Sequence, residues 1–306
     1  MTTTLFSPAA RAAFPTPSPV DFQVPAGACD CHVHVFEPKL FPFAAKRVYT
    51  PDTATIDDLR AHLRLLHMDR VVLINPSPYG LDNSCMLAAL KALGPEHARG
   101  IAVVGPQPEA GALKALHAGG VRGLRLNLAT FGSEDSAKAS ASLKAMAAAV
   151  ADLGWNLQIY TDLGTIKSLA ETIAALPVPV VIDHFGSLKA AQGLRQPGFP
   201  ELVDLLKTGH VYIKISAPYR ISTAAGYADV KPFVETLAGA RPDRLLWASD
   251  WPHTMPAPGT KRSPDKIEHF WPEDDGRDLN LTASWIGKPE TLRQILVANP
   301  QRLFWS

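Results

Sequence analysis

The sequence predicts an α/β fold, a closed parallel barrel of eight β-then-α units. Three observations carry this prediction. Short apolar runs alternate with amphipathic stretches about eight times along the chain. Those runs are apolar throughout rather than at every second position, the pattern of strands covered on both faces. No repeat, low-complexity tract or linker divides the 306 residues, a length that suits one such barrel or two smaller domains. A doubly wound open sheet is the competing architecture. No G-x-G-x-x-G follows the first apolar run, which counts against a dinucleotide-binding version of it.

Taken in order, residues 1–27 contain Pro15, Pro17, Pro19 and Pro25 and lack the apolar run of a signal peptide. They read as an irregular arm, leaving 28–306 as a single domain. Ala28 to Phe36 is the first strand. Side chains two apart on a strand share a side, so His32 and His34 project together. Such a pair suits joint contact with a metal ion or an anionic oxygen, although alone it also describes two hydrogen-bonded core histidines. Glu37 to Pro51, rich in proline and aromatic residues, is a long loop. Thr55 to His67 has helical spacing, with Ile56, Leu59, Leu63 and Leu66 on one face and Asp57-Asp58 near its start. Val71 to Ile74 is the second strand, Asp82 to Leu93 a helix, and Gly100 to Val104 the third strand. Pro108 to Ala118 is a helix stopped by Gly119-Gly120. Val121 to Leu128 is the fourth strand and the alanine-rich Ala137 to Leu153 its helix. Trp155 to Thr161 with Ile166 to Leu176, Val178 to Phe185 with Leu202 to Lys207, and Val211 to Ser216 with Val230 to Leu237 complete three further units. Leu245 to Asp250 is the eighth strand, and Asp278 to Phe304 is mainly helical.

Composition narrows the partners. A formal net charge of +1 argues against a nucleic acid or an acidic membrane, which require a broad basic surface. No run approaches the roughly 20 apolar residues of a membrane helix. Cys29, Cys31 and Cys85 cannot all pair, so this is no disulfide framework, and a reducing cytoplasm is the expected compartment.

In a parallel barrel, chemistry sits at the C-terminal ends of the strands. Here those ends carry His32 and His34, then Arg125 and Asn127, then Tyr160, then Asp183-His184. Ser216 is followed by Tyr219 and Arg220, and Asp250 by Trp251-Pro252-His253. Their convergence on one rim reads as an enzyme site. His32, His34, His184 and Asp250 form a plausible single-metal ligand set. Without metal, the imidazoles can polarise a carbonyl while Asp250 takes a proton from water. Arg125 and Arg220 can each fork onto a carboxylate, which points to an anionic substrate; structural ion pairs are the alternative. Tyr160 and Tyr219 serve either as donors or as rim packing. Lys214 shares its side with Ser216 and can face the lumen, and Asp183 reads as a group that orients a neighbour.

The motifs D-x-H-x-H (Asp30 to His34), I-D-H-x-G (Ile182 to Gly186) and S-D-W-P-H (Ser249 to His253) together resemble the amidohydrolase superfamily. Within it, the chain resembles the lactonase branch that includes the 2-pyrone-4,6-dicarboxylate hydrolases. The Phe36-to-Phe43 segment, R-G-L-R-L-N (Arg122 to Asn127) and N-P-x-R-L-F-W (Asn299 to Trp305) extend the likeness over most of the chain. The resemblance implies a distorted (β/α)8 TIM barrel that hydrolyses a cyclic ester. It implies Asp250 as general base, with His32, His34 and His184 holding and polarising the lactone carbonyl and His253 supporting the site. Arg125, Asn127, Tyr160, Arg220 and Tyr79 would bind substrate. The pyrone hydrolase type works without a bound metal, so no cofactor is expected; one divalent ion such as zinc or manganese on His32, His34, His184 and Asp250 is the alternative.

The chain departs from the wider pattern in two ways. Binuclear members place a lysine or other bridging ligand on strand four and a histidine on strand five, where this chain has Arg125, Asn127 and Tyr160, so a two-metal site is disfavoured. After Asn127 it runs Leu128-Ala129-Thr130-Phe131, where the pyrone hydrolases have a further basic residue, and Pro78-Tyr79 replaces polar contacts. The expected substrate is therefore a small anionic lactone: the pyrone dicarboxylate, a muconolactone, a sulfolactone or a sugar-acid lactone. The competing readings are a single-metal decarboxylase of the same superfamily and a non-catalytic binding protein on the same barrel.

Overall fold

The computed structural model describes residues 14–128 and 136–306. Eight parallel strands follow one another in chain order: β1 (Cys29–Val33), β2 (Arg70–Ile74), β3 (Ala98–Ala102), β4 (Val121–Asn127), β5 (Asn156–Tyr160), β6 (Val180–Ile182), β7 (Val211–Ser216) and β8 (Leu245–Ala248). The barrel is nearly closed. β8 meets β1 through the residues that follow it: Val33 bridges to Trp251, the Asp250 N–H donates to the His32 carbonyl at 3.0 Å, and the His34 N–H donates to the Trp251 carbonyl at 2.9 Å. The seam of the barrel thus lies where D-x-H-x-H and S-D-W-P-H meet.

Helices cover the outside: α1 (Ile56–Leu65), α2 (Ser84–Leu93), α3 (Ala110–Ala118), α4 (Ser136–Val150), α5 (Leu163–Ala174), α6 (Phe199–Lys207), α7 (Lys231–Ala240) and α8 (Asp275–Ile286). Local chemistry fixes their starts. Thr55 and Asp58 form a reciprocal capping box on α1, and Asp162 caps α5 by accepting from the Thr165 N–H at 2.8 Å. Two short helices, α9 (Pro289–Arg293) and α10 (Asn299–Phe304), end the chain, and Leu303 and Phe304 plug the lumen floor against Cys29, Cys31, Val72 and Tyr212. The larger core lies between the sheet and the helices. Gly123 faces so crowded a lumen that a Cβ there would stand 2.7 Å from the Asn156 carbonyl oxygen.

Residues 14–27 contain no helix or strand. Ser18 donates its N–H and O–H to the Asp274 carboxylate at 2.8 and 2.5 Å, and Phe14 packs on Trp251 with ring centroids 5.2 Å apart. The first 13 residues of the expected arm, and Ala129 to Phe131, lie outside the described residues. Among the described residues, no helix is long and apolar enough to cross a membrane.

Several strands, β1, β6 and β8 among them, stop short of their apolar runs, at Val33, Ile182 and Ala248; beyond β6 and β8 the chain leaves the strand conformation to enter the rim. His184, Phe185, Ala217, Asp250 and His253 all have φ between 45° and 71°. For residues with a Cβ this costs about 1–3 kcal/mol each, and such strain gathers where a site requires it. β1 also departs from simple alternation. Asp30 pairs with Val71 and Val33 with Leu73, so Cys31 and His32 together oppose Val72. This bulge resets the phase: Asp30 points outward to Ser249, whereas His32 turns inward above Cys29 and Cys31.

Candidate active site

At the C-terminal rim lies a cavity of about 300 Å³, lined by His34, Arg125, Asn127, Tyr160, His184, Arg220 and Asp250 among others. Strand phase puts them there. Gly123, Arg125 and Asn127 alternate along β4, and Gln158 and Tyr160 along β5, so the lumen face of each strand ends in polar groups.

Asp250 is the centre. Its Oδ2 accepts from the Tyr219 hydroxyl and from the Arg220 Nε–H, both at 2.6 Å. Its Oδ1 faces His184 Nε2 at 3.5 Å and His32 Nε2 at 3.6 Å, beyond hydrogen-bond length. One oxygen is therefore anchored and the other is open to the cavity. Burial alone raises a carboxyl, but the Arg220 guanidinium outweighs it and holds Asp250 well below the usual range. Burial also pushes His34 and His184 down to about 4, with Arg125 adding to the effect on His34, so both are neutral near pH 7.

Behind the histidines lies a second, fully enclosed layer. Asp183 Oδ2 accepts from Arg125 Nε and Nη2 at 3.3 and 3.2 Å and from Gln158 Nε2 at 2.9 Å. Lys214, without exposed surface, donates to Gln158 Oε1 at 2.8 Å and contacts Asp183 Oδ1 at 3.1 Å. Burial lowers Lys214 from its usual value, with Asp183 opposing, and burial together with Lys214 lowers His32. Asp30 anchors the seam by accepting from the Ser249 Oγ–H at 2.5 Å and from the backbone N–H groups of His32 and Ser249 at 3.1 Å.

One expected site residue stands elsewhere. Tyr79 does not line the cavity: its hydroxyl accepts from the Glu37 N–H at 2.9 Å, and its ring packs against Phe36 and Phe43. The short turn Ser77–Tyr79 after β2 rotates it outward and presents Ser77 instead. His253 lies behind Asp250, its Nε2 3.0 Å from Asp275 Oδ1; burial lowers it, but Asp275 prevails and raises it above the usual imidazole value. Sequence reasoning missed Gln158, Ser77, Tyr49 and Arg262. Gln158 had a signal, a polar residue at a lumen position of an apolar strand. Tyr49 and Arg262 come from aperiodic loops, joined by the parallel pairing of Thr50–Pro51 with Ile267–Glu268 and by Arg262 lying 4.0 Å over the Tyr49 ring.

The donor chemistry fits a divalent ion. His32, His34 and Asp250 offer ligand atoms within 4.8 Å of one another, as do His32, Asp183 and His184. The 3.3 Å between His32 Nε2 and His34 Nε2 matches the edge of a tetrahedron with bonds of about 2.0–2.1 Å.

The family model described as Amidohydrolase matches residues 29–305. The chain belongs to the amidohydrolase family. Among its amidohydrolase relatives, the 4-sulfomuconolactone hydrolase of Rhizobium radiobacter is 35% identical over 94% of this chain and 93% of its own. A 2-pyrone-4,6-dicarboxylate hydrolase of Comamonas testosteroni is 34% identical over 95% of this chain and 94% of its own. A crystal structure of a provisionally named 2-pyrone-4,6-dicarboxylic acid hydrolase from Pseudomonas putida superposes with a TM-score of 0.78. It is 28% identical and covers 92% of this chain and 98% of that one. The H-x-H and S-D-W-P-H motifs of this amidohydrolase chain are the segments that form its barrel seam.

Proposed function

We propose that this amidohydrolase opens a small lactone bearing a carboxylate or sulfonate group, by attack of water on the ring carbonyl. The observation that carries the reading is the split role of Asp250: Oδ2 is fixed by Tyr219 and Arg220, and Oδ1 faces the cavity between imidazoles. Relatives named as hydrolases of anionic lactones support it over nearly the full chain.

In this reading Asp250 Oδ1 receives a proton as water adds to the carbonyl carbon. His32 and His184 stabilise the developing oxyanion, while His34, which gives its Nδ1–H to the Ile74 carbonyl, flanks them through its bare Nε2. The ring C–O bond then breaks, and the leaving oxygen takes the proton back, restoring Asp250. Arg125, Arg220, Tyr160 and Asn127 hold the acidic and hydroxyl groups of the substrate. Arg220 also links binding to chemistry: an anionic group that engages its guanidinium loosens its hold on Asp250 and raises that carboxylate's basicity. A divalent ion, when held by His32, His34 and Asp250, would supply Lewis-acid polarisation of the carbonyl. The reading favours no required metal and places the enzyme in the cytoplasm, where three free buried thiols persist.

The test is a panel of lactones, with alkali consumption recorded at constant pH. The reading expects turnover of carboxylated or sulfonated lactones and little of neutral analogues. Inertness toward every anionic lactone, or release of carbon dioxide from an aromatic acid in place of ring opening, overturns it.

A further inference from the structure

The mechanism gives no role to Lys214, a fully buried lysine behind the H-x-H pair. An ammonium has hydrogens and no lone pair, so in every hydrogen bond it donates. Its Nζ lies 2.8 Å from Gln158 Oε1 and 3.1 Å from His32 Nδ1. Donation to His32 Nδ1 requires that nitrogen to be bare, which leaves the single ring hydrogen of neutral His32 on Nε2. The opposite side of the site makes the same demand independently. His34 Nδ1 lies 2.8 Å from the Ile74 carbonyl, which can only accept, so His34 carries its hydrogen on Nδ1 and a lone pair on Nε2. His32 Nε2 lies 3.3 Å from that lone pair, and a hydrogen bond there needs the hydrogen on His32.

We infer that Lys214 is a positioning residue that fixes His32 as the Nε2–H tautomer, a donor facing His34 Nε2 and Asp250 Oδ1, and thereby opposes cation coordination by His32. Coordination through Nε2 needs the reverse arrangement, with the hydrogen on Nδ1. The acceptor for that hydrogen is already in place: Asp183 Oδ1 lies 3.3 Å from His32 Nδ1, with the Lys214 ammonium as its other neighbour at 3.1 Å. Lys214 and Asp183 thus compete for one nitrogen, and the outcome decides whether His32 donates a hydrogen or offers a lone pair. Both tautomers carry the same number of protons, so the choice is one of position rather than titration. The assignment holds whatever the substrate; only its benefit to carbonyl polarisation rests on the lactonase reading.

The test is long-range ¹H–¹⁵N spectroscopy of histidine-labelled protein at pH 7.5, with His32 assigned from the His32→Gln spectrum. The unsubstituted protein is expected to show a bare Nδ1 and a protonated Nε2 at His32; the reverse pattern overturns the inference without any Lys214 variant needing to fold. In folded Lys214→Met, the His32 hydrogen is expected to move to Nδ1, and zinc affinity measured by calorimetry to rise about tenfold or more, the usual scale of such supporting contacts. Unchanged zinc affinity, or tighter zinc with an unmoved hydrogen, also overturns it, the latter by assigning the effect to charge alone. Neither readout depends on lactone turnover, so failure of the proposed reaction is separately visible.

Discussion

Replacing Asp250 by asparagine isolates the proton acceptor from the scaffold. The amide is nearly isosteric, and its oxygen can take the place of Oδ2, accepting from Tyr219 and Arg220 as the carboxylate does at 2.6 Å. Its NH₂ then faces the cavity beside His32 and His184, where the open Oδ1 stood. The catalytic loss is that of a general base, about 10²–10⁴-fold in kcat, or about 2.7–5.4 kcal/mol of barrier at 1.36 kcal/mol per decade. The structural loss is smaller. A hydrogen bond from Arg220 to a charged acceptor becomes one to a neutral acceptor, a change of about 1–2 kcal/mol. That lowers Tm by a few degrees, since 1 kcal/mol moves Tm by about 2–4 °C in chains of somewhat smaller size. KM stays level or falls, because Arg220, freed from a full counter-charge, has more to offer an anionic substrate. Constant-pH titration gives kcat and KM, and calorimetry gives Tm. A folded variant whose kcat falls less than tenfold refutes the role of Asp250.

Three further outcomes follow from the same geometry. Arg220→Met should raise KM, and because it removes the guanidinium that holds Asp250 down, the acidic limb of the kcat/KM profile should shift to higher pH; an unmoved limb contradicts the coupling. His62 is buried with its Nε2 unpartnered and is pushed by burial to about 4, against 6.5 for the free group. Between those values the unfolded chain binds the extra proton, so His62 withdraws stability as pH falls from 6.5 towards 4. His62→Phe, retaining the stack on Trp251, should therefore gain on the unsubstituted protein by about 1–3 kcal/mol over that window, read as a Tm difference that grows on acidification; a constant difference is the contrary result. Exhaustive chelation, checked by elemental analysis, should leave lactone opening within about twofold, because a required ion would need near-stoichiometric occupancy.

Much of the site was legible because barrel chemistry concentrates at strand ends, and strand ends announce themselves where an apolar run stops at polar residues. Asp250, His34, His184, Arg125, Asn127, Tyr160 and Arg220 were found in this way, and all line one cavity. Phase and partnership were less visible. Simple alternation from Cys29 places Asp30 beside His32; the bulge opposite Val72 sends one outward and the other inward, and no local residue preference marks it. The Lys214–Gln158–Asp183 layer depends on which strands are neighbours and in what register, with Arg125 opposite Gln158 and Gln158 opposite Val181. Tyr79 was expected in the cavity and Arg262 was not, because the turn after β2 and the loop after β8 have no periodicity to read.

The most direct test of the lactonase account is ring opening of an anionic lactone in ¹⁸O-labelled water, with the product analysed by mass and fragmentation. Attack at the carbonyl with acyl–oxygen cleavage predicts one ¹⁸O per product molecule, located in the newly formed carboxylate, with the rate lost in Asp250→Asn. A product without label, as from isomerisation of the ring, or with label on the alcohol carbon, would contradict it.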